Sequence, residues 1–285
     1  MLRINGSIVE LREAIRKFRN GGGDIGLVPT MGYLHEGHLS LVRRSKAENR
    51  ATVVSIFVNP AQFGPNEDYE AYPRDVERDC ALLENEGVDL VYCPEPHDLY
   101  QPGHSTFVTE ERVSRDLCGA SRPGHFRGVC TIVLKLFNLV GPDRAYFGEK
   151  DFQQLQVIRR MVRDLNLPVE IRGCPIVREK DGLALSSRNV YLSPAERESA
   201  LSLSRSLREA RTRFENGERR AESLVMLVRT ELEKERNLRV EYVELREASE
   251  LTVLETVDRP AVLAVAVRVG KTRLIDNAIL GGVTP

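Results

Sequence analysis

The stretch Pro29-Thr30-Met31-Gly32-Tyr33-Leu34-His35-Glu36-Gly37-His38 decides how the first part of this chain is organised. The apolar run Ile25-Gly26-Leu27-Val28 precedes it and predicts a short buried strand. Apolar residues at helical spacing follow it and predict a helix that ends near Asn49. The sequence therefore predicts a strand, a glycine-containing turn and a helix in direct succession.

The two histidines of this stretch are candidate phosphate-binding residues. His35 and His38 are three residues apart, so both project from one face of the first helical turn if the helix begins near Glu36. A helix start offers free N–H groups and a positive dipole end, which together favour an anion. A solvated helix start is an equally simple interpretation at this point. Half of a metal site is less favoured, because the spacing is not that of a zinc helix and no Cys pair accompanies it.

Composition limits the classes of protein that the chain can belong to. Its 285 residues predict one large domain or two moderate ones, and 41% hydrophobic with 29% charged residues is ordinary globular composition. The formal net charge of −1 argues against a nucleic-acid partner.

Cysteine usage and hydropathy predict a cytoplasmic protein. The five cysteines form no Cys-x-x-Cys pair, and their odd number favours free thiols in a reducing compartment over a disulfide framework. The N-terminus lacks the apolar core of a signal peptide, and no apolar run is long enough to span a membrane. We therefore expect no membrane association.

Strand and helix patterns alternate along the first 175 residues. Beyond the opening unit, strands are predicted at 52–58, 88–92, 105–109, 145–147 and 169–171, and helices at 9–19, 73–86, 129–140 and 152–164. This alternation is typical of an α/β fold with a Rossmann-like, doubly wound parallel sheet.

The pattern changes near Pro175 and predicts a second, smaller α+β domain over residues 176–285. A hairpin with an Asp-Gly turn is predicted at 176–184. Two charged amphipathic helices and three strands follow it, at 194–216, 221–235, 240–246, 261–269 and 272–276. The predicted domains are therefore 1–175 and 176–285.

Several polar segments fall where predicted parallel strands end. They are residues 29–38, 59–62, 148–151 and the chain after Ile171. Ligands of open parallel sheets bind beyond the carboxyl ends of the strands, so we expect these segments to converge. The segment 186–189 opens the smaller domain and could close over the same crevice.

Two motifs together resemble the nucleotidyltransferase superfamily, which includes class I aminoacyl-tRNA synthetases. They are the His-x-x-His of the first turn and the later Leu185-Ser186-Ser187-Arg188-Asn189. With their surroundings, five collinear motifs are similar to the pantoate–β-alanine ligase family over nearly the whole chain: Pro29–His38, Phe57-Val58-Asn59-Pro60 with Gln62-Phe63, Arg122-Pro123-Gly124-His125-Phe126-Arg127-Gly128-Val129, Phe147-Gly148-Glu149-Lys150-Asp151-Phe152-Gln153-Gln154 and Ser186-Ser187-Arg188-Asn189. Leu185 stands where that family usually has Met.

The resemblance implies a two-step reaction. The carboxylate of pantoate attacks the α-phosphorus of ATP to give pantoyl adenylate and pyrophosphate, and the amine of β-alanine then gives pantothenate and AMP. The family resemblance also implies Mg²⁺ on the phosphates and a homodimer. No Asp/Glu cluster in the sequence identifies the metal ligands.

The resemblance also implies which residues form the site. The catalytic set is His35, His38, Lys150, Ser186, Ser187 and Arg188. The ATP-binding set is Pro29, Thr30, Met31, Gly32, Tyr33, Leu34, His35, Glu36, Gly37, His38, Gly148, Glu149, Lys150, Asp151, Val177, Leu185, Ser186, Ser187 and Arg188. Gln62 is assigned to pantoate and β-alanine, and Gln154 to pantoate.

Some charged residues keep two interpretations. Asp151 opens a predicted helix, so it is either a helix cap or an acceptor for ribose hydroxyls. Arg122, His125 and Arg127 match family positions near pantoate, but a structural turn explains them almost as well. Asp68, with its neighbour at 67, is a weak candidate for a cation.

Three alternative functions remain at this stage. Another adenylate-forming nucleotidyltransferase would share the same motifs. A tRNA-charging enzyme would need an anticodon-binding domain and a basic surface, and the chain length and charge argue against both. A non-catalytic nucleotide sensor would not need so complete a set of phosphate-facing cations.

Overall fold

The larger of two sheets organises the first part of the molecule. The computed structural model describes residues 1–65 and 67–282. Six strands form this sheet: β1 (Leu2–Ile4), β2 (Ile25–Thr30), β3 (Ala51–Ile56), β4 (Leu90–Tyr92), β5 (Arg144–Gly148) and β6 (Glu170–Cys174). Their order is β1-β4-β3-β2-β5-β6, and every pairing is parallel.

Helices cover both faces of this sheet. They are α1 (Ile8–Asn20), α2 (Glu36–Glu48), α3 (Val76–Asn85), α4 (Pro96–Leu99), α5 (Cys118–Ser121), α6 (His125–Val140) and α7 (Phe152–Asp164). Successive residues of β2 enter opposite cores: Leu27 packs in the cluster of α1, α6 and α7, and Val28 in the cluster of α2 and α3. This alternation follows from the two-residue period of a strand and confirms the doubly wound α/β fold.

The chain changes direction between the two central strands. From β2 it proceeds to β3 and β4 on one side, and it later returns to place β5 and β6 on the other. The carboxyl ends of β2 and β5 therefore flank a topological switch point, where a crevice forms in open parallel sheets. Pro29–His38 follows β2 and residues 149–151 follow β5, so the two segments meet there.

A smaller antiparallel sheet follows in the second part of the chain. It consists of β7 (Leu238–Glu247), β8 (Ala261–Val269) and β9 (Thr272–Leu280), packed against α8 (Pro194–Glu215) and α9 (Ala221–Glu233). These elements share their own apolar core, which includes Leu203, Leu224 and Val265. A separate core explains why the helical and strand patterns segregate here, as expected for an α+β arrangement.

Several predicted elements differ from the structure. The predicted strand at 105–109 is wrong: the segment pairs with no described strand, and Val108 N–H instead donates to Thr131 Oγ1 on α6 at 3.0 Å. β1 was not predicted, since three residues are too few to show a period. The helix predicted from residue 73 begins only at Val76, after the cap Asp75, and α6 begins at His125 rather than at 129.

The remaining differences lie in the second part. The predicted hairpin at 176–184 is reduced to one antiparallel bridge between Arg178 and Ala184. β9 continues four residues beyond the predicted end. No helix among the residues that the structure describes has the length and apolar character needed to cross a bilayer.

Candidate active site

The turn after β2 is held in place from another helix. Gly32 and Tyr33 both have positive φ, at 81° and 49°, so the chain reverses sharply before α2. The buried carboxylate of Asp79 on α3 accepts hydrogen bonds from Tyr33 N–H at 2.6 Å and Leu34 N–H at 2.8 Å. Arg78 adds a bond from its guanidinium to Leu34 O at 3.0 Å. These contacts fix the turn independently of any ligand, and they compensate the cost of burying a carboxylate.

The two histidines have different hydrogen-bonding roles. His35 is the N-cap residue of α2, and its backbone N–H donates to His38 Nδ1 at 3.3 Å. Since Nδ1 of His38 accepts, the proton of its neutral ring is on Nε2, which leaves one N–H donor. His35 Nδ1 is buried without a hydrogen-bond partner. The ring centroids are 4.0 Å apart, so both imidazoles occupy the same small region.

Both imidazoles are neutral near pH 7. Burial, with a further contribution from the charge of Lys150, lowers the pKa of His35 from 6.5 to about 4. Burial also lowers the pKa of His38 well below 6.5, and the charge that His35 carries when protonated and the charge of Lys150 act in the same direction. The pair therefore offers N–H donors and ring acceptors, and the fixed positive charge of this region comes from Lys150.

Gln62 lies beyond the carboxyl end of β3, where the side chain of Asn59 holds it. Asn59 Nδ2 donates to Gln62 Oε1 at 3.0 Å and to Gly128 O at 3.1 Å. A Cβ on Gly128 would lie 2.1 Å from Ala61 O, so the close approach of α6 to this turn requires glycine there. The Gln62 side chain is buried and its oxygen is occupied, which leaves its NH₂ group as the free donor.

Arg122 and His125 contact the turn that carries Gln62, Pro60–Gln62. His125 Nδ1–H donates to Gln62 O at 2.9 Å, and the guanidinium of Arg122 contacts His125 Nε2 at 3.0 Å. Arg122 also forms an ion pair with Glu67. Burial and the neighbouring Arg122 charge lower the pKa of His125 to about 4. These two residues therefore position Gln62, whereas Arg127 lies apart, over the ring of Phe107.

Lys150 and Asp151 follow β5 in a 3₁₀ turn, Glu149–Asp151. The Lys150 ammonium lies 3.9 Å from the Asp151 carboxylate and is largely shielded from solvent. Asp151 occupies the N-cap position of α7, but its side chain forms no capping hydrogen bond. Its carboxylate is therefore not used as a cap, which favours the ligand-binding interpretation of this residue.

The Ser186–Arg188 segment is bound to the larger part of the molecule by side-chain contacts. Ser187 Oγ donates to Tyr33 O at 3.2 Å. Arg188 forms two hydrogen bonds of 2.8 Å with Asp68, and its guanidinium lies over the ring of Tyr72. Arg188 is thus paired with a carboxylate in this structure.

One cavity of about 220 Å³ brings most of the predicted site residues together. Those that line it are Pro29, Thr30, Met31, His35, Gly37, His38, Gln62, Gly148, Lys150, Asp151, Gln154, Val177, Leu185, Ser186, Ser187 and Arg188. The structure places five predicted ATP-binding residues outside its lining: Gly32, Tyr33, Leu34, Glu36 and Glu149. Gly32, Tyr33 and Leu34 form the turn itself. Glu36 pairs with Arg43 at the surface, and the side chain of Glu149, the first residue of the 3₁₀ turn, is buried.

A larger cavity of about 820 Å³ continues from the first between the two sheets. The two cavities share five lining residues: Lys150, Asp151, Gln154, Ser186 and Arg188. The remaining walls of the larger cavity come mainly from β8 and β9 on one side and from α5 to α7 on the other. The shared residues therefore stand where a long ligand would pass from one space to the other.

The donor set does not form an all-protein metal site. Within residues 1–65 and 67–282, no three His, Cys, Asp or Glu side chains are grouped as metal ligands. Mg²⁺ commonly keeps several waters and takes one or two carboxylates together with phosphate oxygens. Asp151 is the carboxylate that lines both cavities, so the residues fit a Mg²⁺ ion that arrives on a nucleotide.

Sequence reasoning gave no role to several residues that shape the site. Asp79 lies among charged residues of α3 and shows no signal in the sequence, because its partners are 45 and 46 positions away. Asn59 belongs to the Phe57–Pro60 motif, and its position at a strand end was a usable signal. Tyr72, which also lines the smaller cavity, had no such signal.

The α/β fold, with a cavity at the switch point that two histidines of the first strand–helix turn help to line, is that of an ATP-dependent ligase. The family model described as pantoate–beta-alanine ligase matches residues 3–279. The chain belongs to the pantoate–β-alanine ligase family, and with that family it condenses pantoate and β-alanine with ATP through an adenylate.

Named relatives and solved structures agree with this assignment. The chain is 58% identical to the pantothenate synthetase of Thermotoga neapolitana over 280 residues, which cover 98% of this chain and 100% of the relative. The crystal structure of pantothenate synthetase from Thermus thermophilus superposes with a TM-score of 0.93 at 48% identity, covering 98% and 99% of the two chains. The pantoate–β-alanine ligase of Francisella tularensis, solved with beta-gamma ATP and β-alanine, gives a TM-score of 0.80 at 33% identity, with all of both chains covered.

Proposed function

We propose that the smaller cavity, with the adjoining part of the larger one, is the active site of the ligase. The observation that carries this proposal is the convergence of His38, Gln62, Lys150, Gln154 and Arg188 on one cavity at the switch point of the sheet. The Francisella relative was solved with a form of ATP and with β-alanine, which supports the same pair of ligands for this chain.

In the first step, a carboxylate oxygen of pantoate attacks the α-phosphorus of ATP. The P–O bond to pyrophosphate breaks, and negative charge grows on the α-phosphoryl oxygens and on the leaving group. The Nε2–H of His38 and the ammonium of Lys150 are placed to stabilise this charge as preorganised donors. His35, with its unpartnered ring nitrogen, adds a second contact. The hydroxyls of Ser186 and Ser187 and the guanidinium of Arg188 bind the departing phosphates.

In the second step, the amine of β-alanine attacks the acyl carbon of pantoyl adenylate. The C–N bond forms, the C–O bond to the phosphate breaks, AMP departs and the amine releases a proton to solvent. Gln62 and Gln154 orient the small substrates: the NH₂ group of Gln62 donates to their oxygens, and the amide of Gln154 offers both a donor and an acceptor. Gln62 is the better fixed of the two, since Asn59 and His125 hold its side chain and its backbone.

The wider ATP-binding set is proposed as a whole. The lining positions of Pro29, Met31, Gly148, Val177 and Leu185 support a nucleotide that lies along the carboxyl ends of β2 and β5. The turn residues and the 3₁₀ turn are proposed to contribute through backbone groups and shape. Asp151, the carboxylate that lines both cavities, would help to hold Mg²⁺ on the triphosphate, and the ion would neutralise phosphate charge there.

The assembly and setting of the enzyme are also proposals. Four of the five free cysteines are buried, which supports a reducing, cytoplasmic setting. The net charge of −1 supports an enzyme that binds no nucleic acid. The homodimer rests on the family resemblance, and light scattering on the purified chain tests it. The domain division at 175/176 is supported by the end of β6 at Cys174 and by the separate core of α8, α9 and the small sheet.

Turnover with defined substrates tests the proposed function. Pantoate, β-alanine, ATP and Mg²⁺ should give pantothenate, AMP and pyrophosphate in equal amounts. Leaving out either pantoate or β-alanine should stop AMP formation. Pantoate alone should support exchange of labelled pyrophosphate into ATP. AMP formation with a different carboxylate but not with pantoate would instead indicate another adenylate-forming enzyme, and no AMP with any acid would indicate a sensor.

A further inference from the structure

Two consecutive polar side chains are buried on β9, at the boundary with the larger sheet. Asp276 and Asn277 are only 3% and 4% exposed, although they belong to a strand of the small sheet. Burying a carboxylate or an amide costs free energy unless hydrogen bonds replace water. The partners of these two side chains therefore indicate what they do.

Asn277 binds the turn that carries Lys150. Its Nδ2 group donates to Glu149 O at 2.9 Å and to Lys150 O at 3.1 Å, so both amide hydrogens are used on consecutive carbonyls. The acceptors belong to the 3₁₀ turn Glu149–Asp151, which connects β5 to α7. Asn277 thus fixes the backbone from which the Lys150 side chain extends into the cavity.

Asp276 binds a second segment of the site. Its carboxylate forms hydrogen bonds of 2.6 and 2.9 Å with the guanidinium of Arg178, which also donates to Gly182 O at 3.2 Å. Asp276 Oδ1 additionally accepts Asn277 N–H at 2.8 Å. Arg178 lies at the start of the bridge that leads to Leu185 and Ser186. From one strand, Asn277 therefore holds the turn of Lys150 and Asp276 holds the segment that leads to Ser186. Lys150 and Ser186 are both among the residues that line the two cavities.

We infer that Asn277 is a positioning residue for Lys150, through which β9 sets the place of the ammonium during adenylation. This inference rests on the proposed role of Lys150. Lys150 receives no other side-chain anchor for its backbone among the hydrogen bonds of the described residues. An alanine at 277 removes the side-chain donors of both carbonyls and allows the turn to shift. Displacement of a catalytic group by about 1 Å can cost as much as ~100-fold in rate.

Pantoate-dependent ATP–pyrophosphate exchange tests the inference in four proteins: wild type, Asn277→Ala, Lys150→Ala and the double variant. Asn277→Ala should lower exchange by about 10- to 100-fold, mainly in kcat. In the Lys150→Ala background the same change should cost less than about twofold, because residues that act as a unit are not additive. A full, independent loss in that background would overturn the inference.

Further variants separate positioning from folding. Asn277→Asp keeps the volume but directs acceptors at two carbonyls, so it should be no better than alanine. Asn277→Ser retains one donor and should be intermediate, and it serves if the alanine variant does not fold. Leu280→Ala, buried on the same strand in the core of the small sheet, is the matched control: it should lower thermal stability without the loss of exchange.

The outcomes distinguish this inference from the proposed function. If Lys150→Ala exchanges pyrophosphate at the wild-type rate, the role proposed for Lys150 fails. If Lys150→Ala is impaired and Asn277→Ala is not, the function stands and the positioning role is wrong. Equal losses for Asn277→Ala and Leu280→Ala would also assign Asn277 to stability alone.

Discussion

The two regions that we propose to face the phosphates are held in opposite ways. The turn of Pro29–His38 has its backbone fixed by Asp79 and one histidine fixed by the other, so its donors are arranged before any ligand binds. In the Ser186–Arg188 segment, Arg188 is paired with Asp68, so its charge is already occupied. In the proposed mechanism the first region acts without rearrangement, whereas Arg188 of the second must exchange the Asp68 carboxylate for a phosphate. One cavity thus contains a turn that is rigid before ligand binding and an arginine that is already paired with a carboxylate.

The largest expected effect is on the preorganised side. His38→Ala should reduce pantoate-dependent exchange by ~10²–10³-fold, the usual loss for one preorganised donor. His97→Ala is the matched control, because that side chain is 79% exposed on α4. Near wild-type exchange in His38→Ala would remove this histidine from the chemistry and weaken the contrast between the regions.

The second prediction tests whether Asp79 makes the Pro29–His38 turn rigid. Asp79→Ala removes the acceptor of Tyr33 N–H and Leu34 N–H, and each unsatisfied buried group costs about 1–3 kcal/mol. Thermal stability and the exchange rate should therefore fall together. Glu77→Ala, on the same helix but with an exposed side chain, should change neither by a comparable amount. Identical behaviour of the two variants would show that the turn holds its shape without Asp79.

The third prediction concerns the paired side. Asp68→Asn removes the carboxylate that competes with phosphate for Arg188, and partly exposed ion pairs of this kind contribute about 0.2–1 kcal/mol. The KM for ATP should therefore fall by up to about fivefold, with little change in kcat. Asp164→Asn, which breaks a comparable surface pair with Arg160 on α7, should leave the KM for ATP unchanged. A raised KM would mean that Asp68 also serves the bound state.

The smallest expected effect is the pH dependence of the free energy of unfolding, which should differ between the histidine region and the Arg188 region. His35 has a folded pKa of about 4 against 6.5 in the unfolded chain, and burial also holds the pKa of His38 well below 6.5, so unfolding takes up protons in this range. Their contribution to stability is complete above pH 6.5 and decreases as the pH falls from about 6.5 to about 4. The slope is at most about 1.4 kcal/mol per pH unit for each histidine. Urea unfolding of wild type, His35→Gln and His97→Gln measures it, and only His35→Gln should reduce the slope.

The Asp68 pair responds at lower pH. Burial raises the pKa of Asp68, but the hydrogen bonds and charge of Arg188 outweigh it and hold the pKa below 3.8. A lowered carboxyl pKa gives stability that is present above the unfolded value and lost as pH falls through the folded one. Asp68→Asn should therefore lower the free energy of unfolding but leave its slope against pH unchanged between pH 6.5 and about 5. A changed slope in that window would contradict the separation of the two regions.

The sequence predicted most of the fold because the signals were local. The apolar run of β2 and the 3.6-residue period of α7 each lie within a few residues of chain, and α7 was predicted to the residue. The 105–109 strand was wrong for a physical reason: β-branched residues favour an extended backbone, but a strand also needs a neighbour, and none of the described strands reaches that segment.

The candidate site divides in the same way. Motifs placed His38, Gln62 and Lys150 at strand ends, and parallel sheets bring such ends together, so their convergence was predictable. The contacts of Asp79, Asp68 and Asn277 were not predictable, since they join positions up to 128 residues apart and leave no period or spacing in the chain.

The sequence by itself thus determined the α/β class, the order of the elements and the chemical groups at the first strand–helix turn, because each follows from local periodicity and residue type. Only the tertiary structure decided which histidine nitrogen carries the proton, that Arg188 is paired, and that β9 holds the turn of Lys150. Those features depend on burial and on hydrogen bonds between distant segments, and both exist only once the two sheets have packed.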